Sequence, residues 1–123
     1  MPRYKMLVMT NAVEGREDEF NEWYQSRHLP DVTAVPGFHS AQRFKLAKVL
    51  SKGASAKPYL SIYEIETNDL EATISEMRRR ARTEGMPISE AMAAGTFGVV
   101  YEEAGPVVSS TASAPAQDGG AAQ

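Results

Sequence analysis

Apolar and polar positions alternate along this chain with two different periods, and the changes between them mark out six elements. Residues 4–11, YKMLVMTN, are β-compatible, with Met6 and Val8 on one face and Leu7 and Met9 on the other. A strand apolar on both faces needs cover on both. After the turn AVEG, the stretch REDEFNEWYQSRH predicts a helix over residues 16–28, with Glu17, Asp18 and Glu19 in its first turn, where they oppose the macrodipole. Phe20, Trp23, Tyr24 and Arg27 fall at i, i+3, i+4 and i+7, so three aromatics share one stripe. Pro30 is expected to end this helix by disfavouring helical geometry at Leu29.

VPGF reads as a turn, and residues 38–46 alternate as a second strand. Phe38, Ser40, Gln42, Phe44 and Leu46 face one way, and His39, Ala41, Arg43 and Lys45 the other. AKVLSKGASAKP is small and polar in its middle, as a long hairpin loop would be. Residues 59–65, YLSIYEI, form a third strand. Asn68 or Asp69 caps a second helix running to about residue 83, in which Leu70, Ile74, Met77 and Ala81 keep helical spacing. EGMPISEAMAAG is a connection with room for one helical turn, and TFGVVYE, residues 96–102, is the fourth strand.

The order β-α-β-β-α-β predicts a ferredoxin-like α+β fold, a four-stranded antiparallel sheet with two helices on one face. The other face stays apolar, so a second copy of the chain is expected to cover it, giving a homodimer with sheets face to face. Residues 1–104 form this domain. Residues 105–123, GPVVSSTASAPAQDGGAAQ, are expected to be a flexible tail, because they hold too few bulky side chains to offset their ordering entropy.

Composition narrows the partners. With 13 Lys and Arg against 16 Asp and Glu the net charge is −3, which gives no broad positive field for nucleic acid. The absence of cysteine excludes disulfides, thiolate metal sites and a cysteine nucleophile, and fits a reducing compartment. The apolar runs are far short of the roughly 20 residues that span a bilayer, and MPRYKMLVMT reads without a signal peptide. No membrane association and a cytoplasmic location are therefore expected. Two histidines without HxH or HxxxH spacing give no metal signature, and no glycine-rich loop cradles phosphate.

Residues 10–44, TNAVEGREDEFNEWYQSRHLPDVTAVPGFHSAQRF, carry a family resemblance. Asn11 closing the first strand, Gly15 in the turn, Glu19-Phe20, Trp23-Tyr24, His28 with Pro30, and Pro36-Gly37-Phe38 opening the second strand resemble the front half of EthD-like proteins of the dimeric α+β barrel superfamily. The resemblance implies a ligand cleft between the sheet and the helices of each subunit. The superfamily that it points to includes cofactor-free cyclases, decarboxylases, isomerases and monooxygenases acting on ring ketones, lactones and phenols, along with many members of no assigned activity, so the resemblance implies a pocket before it implies a reaction.

His28 is the leading acid/base candidate, since a neutral imidazole near neutral pH can take a proton from a carbon acid or return one to an enolate. Its competing use is to cap the helix carbonyls. Tyr24 offers a hydroxyl to polarise a ketone, and Asn11 offers its amide to a substrate oxygen or to the local turn. Trp23 and Phe20 supply an apolar wall or plain core. Arg43 and His39, expected on one strand face, line either the pocket or the dimer interface, and Tyr63 adds a hydroxyl from the third strand. The run EMRRRARTEG, with four arginines, is a solvated helix end or a grip for an anionic partner or substrate tail.

The expected function is a small cofactor-independent enzyme performing isomerisation, cyclisation or lyase-type chemistry by proton transfer on an aromatic or cyclic ketone, lactone or ester. One alternative is a monooxygenase, cofactor-free or haem-dependent through His28. The other is a non-catalytic barrel that binds a hydrophobic small molecule or supports a partner enzyme.

Overall fold

A computed structural model describes residues 1–112 of the chain. Its elements are β1 (Arg3–Thr10), α1 (Glu17–Trp23), a π-helical turn (Tyr24–His28), α2 (Leu29–Thr33), β2 (Phe38–Lys45), β3 (Tyr59–Glu66), α3 (Leu70–Arg80) and β4 (Phe97–Glu102). The strands form one antiparallel sheet in the order β2-β3-β1-β4, the ferredoxin-like βαββαβ arrangement read from the pattern.

Strand register sorts the side chains. Met6 lies opposite Tyr63 and Val100, and Val8 opposite Ser61 and Gly98, on the face that the helices cover. Leu7 lies opposite Ile62 and Val99, and Met9 opposite Leu60 and Phe97, on the face left open. Phe20, Tyr24, Leu29, Val32 and Val35 from the first helical region pack with Met6, Phe38, Tyr63 and Ile65 to make the core. Each such side chain, fully buried, contributes about 1.5–3 kcal/mol.

The first helical region departs from expectation. It does not end before Pro30 but runs through it to Thr33, and Leu29 keeps helical dihedrals of φ −59° and ψ −47°. The π turn explains how. Leu29 N–H reaches back to Tyr24 O, five residues away, and the wider turn relieves the clash between the Pro30 ring and the carbonyl of Ser26.

β2 also differs. Phe38 pairs with Ile65 while Ser40 pairs with Glu64, so His39 is the extra residue of a β-bulge. The bulge reverses the alternation at its start: Phe38 joins the buried face with Ala41 and Arg43, and His39 turns to the open face. The expectation that His39 and Arg43 share a face is thereby corrected.

α3 is capped by Asp69, whose carboxylate accepts from Ala72 N–H, and it ends at Arg80 rather than near residue 83, because Ala81 is extended and Arg82 takes φ +69°. The connection from 84 to 95 contains no helical turn, yet it is structural: Met86 and Ala91 are fully buried, and Met92 bridges to Ala12. Residues 105–112 are exposed and carry no helix or strand; the rest of the expected tail, 113–123, lies outside the described residues.

Candidate functional site

Between the helices and the sheet lies a cavity of about 400 Å³. Its walls are largely apolar: Met6, Val8 and Val100 from the sheet, Val32 from α2, Ile74 and Met77 from α3, and Met86 and Ile88 from the connection after α3. Into this lining project Tyr24, His28 and Tyr63. A hollow of about 420 Å³ on the opposite side of the sheet is lined by Arg3, Lys5, His39, Glu64, Glu66 and Tyr101. Its two cationic side chains are already engaged, Lys5 by Glu64 at 3.3 Å and Arg3 by Glu66 at 3.9 Å, so the sheet–helix cavity is the better candidate despite its similar size.

The π turn positions His28. Residues five apart come level in such a turn, and the imidazole accordingly stacks on Trp23, with centroids 4.7 Å apart and planes at 27°. Tyr24 meets the imidazole edge-on at 5.0 Å. Trp23 is fixed in turn by donating from Nε1 to Pro87 O at 3.1 Å. His28 Nδ1 is buried with no hydrogen-bond partner among the described residues. Burial pushes the imidazole pKa down to about 4, partly opposed by the Asp31 carboxylate, so the ring is neutral at physiological pH. His28 does not cap the helix carbonyls, because the helical backbone continues past it.

Tyr24 and Tyr63 are each 1% exposed, and the Tyr63 hydroxyl lies 3.5 Å from that of Tyr24, at the long limit of a hydrogen bond. Burial, reinforced by the neighbouring Tyr24, raises the Tyr63 pKa well above that of a free phenol. The phenol is therefore protonated at physiological pH and directs its proton toward the Tyr24 hydroxyl. Arg43 sits behind this pair. Its guanidinium lies 4.7 Å from the Tyr24 ring centroid, 5.2 Å from that of Tyr59 and 5.4 Å from that of Phe20. Nη2 donates to Asn21 Oδ1 at 2.9 Å, and Asn21 donates on to the Tyr59 hydroxyl at 3.3 Å. Burial lowers the Arg43 pKa against the opposing influence of the three tyrosines.

The structure thus brings together His28, Tyr24 and Tyr63 in the cavity, with Trp23, Phe20 and Arg43 packed behind them. It does not bring Asn11 or His39 there. Asn11 is exposed and turns its Oδ1 to the N–H of Ala12 at 2.8 Å, the turn role. Met86 and Ile88 were not legible as lining residues; the only trace was the apolar pair in GMPI within a polar connection. Among the described residues no group of three or more His, Cys, Asp or Glu is placed to hold a metal ion. A neutral imidazole and two phenols facing apolar walls can bind a small organic molecule, donate hydrogen bonds to its oxygen and exchange a proton with it.

No family model and no curated protein matches the chain. Solved structures match it in fold. A candidate monooxygenase from Shewanella loihica PV-4 aligns at 13% identity with a TM-score of 0.54, over 89% of this chain and 99% of that one. A MhuD variant crystallised with two manganese protoporphyrin IX molecules per active site aligns at 17% and 0.59, over 88% and 100%. An EthD-family protein from Bacillus halodurans C-125 aligns at 13% and 0.52, over 85% and 100%. The resemblance to EthD-like dimeric α+β barrels is therefore met at the level of the fold.

Proposed function

We propose that this chain is an enzyme that moves a proton on a small aromatic or cyclic ketone, lactone or ester bound between sheet and helices. The observation that carries the reading is the His28 imidazole, neutral and without a partner at Nδ1 among the described residues, set among apolar walls in the same cavity as the paired hydroxyls of Tyr24 and Tyr63. In the proposed mechanism the imidazole takes a proton from the carbon next to the carbonyl. Tyr24 and Tyr63 donate hydrogen bonds to the oxygen as it becomes an enolate, and the proton returns elsewhere on the same skeleton. Trp23, stacked on the imidazole, holds its plane, and the apolar lining excludes water that would quench the enolate. The outcome is isomerisation, cyclisation or lyase-type cleavage, according to which bond the enolate rearranges. The working form is a homodimer closed over the open sheet face, with no cofactor required.

Deuterium exchange tests the step without knowledge of the complete reaction. In D2O the protein should wash deuterium into the α-position of its ring-ketone or lactone ligands, read by loss of the proton NMR signal. His28→Ala should slow this by about 10²-fold or more. Undiminished exchange in that variant would end the assignment. Fold likeness to a candidate monooxygenase favours a second reading, in which the deprotonated substrate goes on to react with dioxygen. Oxygen uptake that depends on the substrate separates the two, since both begin at His28.

A further inference from the structure

Among the described residues the cavity is lined by one formally charged side chain, and it lies at the rim. Arg78 on α3 is exposed, one turn beyond Ile74 and next to Met77, both of which line the interior. No aspartate or glutamate among the described residues lines the cavity with it. Its neighbours Arg79 and Arg80 are both engaged by Glu76, Arg79 through bonds of 2.9 and 2.7 Å and Arg80 through one of 2.7 Å. Arg3, Arg16 and Arg27 likewise have carboxylate partners, and Arg43 has the amide of Asn21. Among the described residues Arg78 and Arg82 are the arginines whose side chains have no hydrogen-bond or ion-pair partner, and of these Arg78 lines the cavity.

We propose that the cavity's ligand is an amphipathic organic anion, with an acidic head held by Arg78 at the mouth and an apolar ring or chain inside. The inference rests on the cavity being the ligand site. Physical chemistry fixes the orientation. Among the described residues the interior lining offers a neutral imidazole and phenols but no cation, and the Arg43 guanidinium behind Tyr24 is already bonded to Asn21, so an anionic head placed there would lose its hydration without a direct counter-charge. At the mouth the head keeps part of its hydration while the guanidinium fork binds it, and the apolar body gains contact with Met6, Met77 and Met86, whose flexible thioethers adapt to irregular shapes. The end of the ligand inside the cavity, beside His28 and the tyrosine pair, is then the end that reacts. Arg78 is the specificity determinant, selecting acids over neutral compounds of the same skeleton.

Two probes with one aromatic framework test this on the full chain: 8-anilinonaphthalene-1-sulfonate, an anion, and N-phenyl-1-naphthylamine, which is neutral. Affinity is read by fluorescence, and location by amide shifts in ¹H–¹⁵N spectra at Tyr24, His28 and Gly98. The expected result is that both probes shift these amides and that Arg78→Gln weakens the sulfonate by about 10-fold while sparing the amine. Arg78→Lys should retain most of the sulfonate affinity, and Arg79→Gln should leave both unchanged. If both probes enter the cavity but Arg78→Gln leaves the sulfonate unaffected, or weakens both alike, the anionic-head inference is overturned and the cavity reading survives. If neither probe shifts these amides, the cavity reading fails, and the inference with it.

Discussion

His28 couples the site to the stability of the fold. Its pKa falls from about 6.5 in the unfolded chain to about 4 in the folded one, because burial disfavours the imidazolium. The unfolded chain therefore binds a proton in this window that the folded chain refuses. The stabilisation is fully present above about pH 6.5 and is lost as pH falls toward about 4, a loss of about 3 kcal/mol by the acid end. Urea midpoints measured at steps from pH 7.5 down to 4.5 should decline for the native chain. His28→Gln, which cannot titrate, should decline less, and parallel curves would show that the imidazole is not buried in this way. The same neutral ring is what a base needs, so exchange activity should hold from neutral pH downward and fail only as the site itself protonates. The chemistry-bearing types at helical spacing, His28 and Tyr24, were legible because an aromatic stripe followed by a histidine is a strong local pattern. The stacking of His28 on Trp23 was not, since it depends on a turn with a wider hydrogen-bond period.

At the scale of elements, the departures from the sequence reading come from residues whose local rule gave way to a compensating feature. Pro30 would end an α-helix, but the π turn before it makes room for its ring, and the helical path continues to bury Leu29 and Val32. The bulge at His39 left no mark in the alternation, because Phe38 and His39 can each occupy either face of a strand by composition. Strand order and helix placement were legible, because period alone separates the elements and the connection rules leave few topologies. The turn at Gly37 holds β2 against α3. Its φ is +98°, its carbonyl accepts from Glu66 N–H at 2.8 Å, and an added Cβ would lie 3.1 and 3.2 Å from the Thr73 side chain. Gly37→Ala should therefore cost about 1–3 kcal/mol, through both the left-handed backbone and the pressure on α3. Gly53→Ala, at φ +79° but in open space, should cost about 1 kcal/mol. Thermal melts of the two variants compare them directly, and equal losses would show that Gly37 is present for its dihedral alone. Since α3 carries Met77 and Arg78, the Gly37 variant should also weaken probe binding in the cavity, whereas the Gly53 variant should not.

For the molecule as a whole, the open sheet face is the largest feature that one chain leaves unexplained. Register lays it out in rows. Gln42, Ile62, Leu7 and Val99 form one, and Phe44, Leu60, Met9 and Phe97 form a second, more apolar row. Phe97 is 53% exposed and Phe44 41%, an exposed apolar patch of the kind that marks interaction surfaces. A third row, Ser40, Glu64, Lys5 and Tyr101, is polar and carries the Lys5–Glu64 pair. Such a face, apolar at one end and charged at the other, suits a second copy related by a two-fold axis, because the same rows then meet in self-complementary fashion. Sedimentation at micromolar concentration should give twice the chain mass. Leu7→Lys places a charge on the central strand, in the middle of the apolar rows, where a partner would have to bury it unpaired. That should cost at least about 3 kcal/mol, or two orders of magnitude in dimer affinity. The variant should sediment as a folded monomer with an unchanged circular dichroism spectrum, since Leu7 contributes nothing to the helix-covered core. A native chain that sediments as a monomer would leave those rows exposed to solvent and remove the dimer from the functional reading. The cavity, built within one chain, would remain as the site to test.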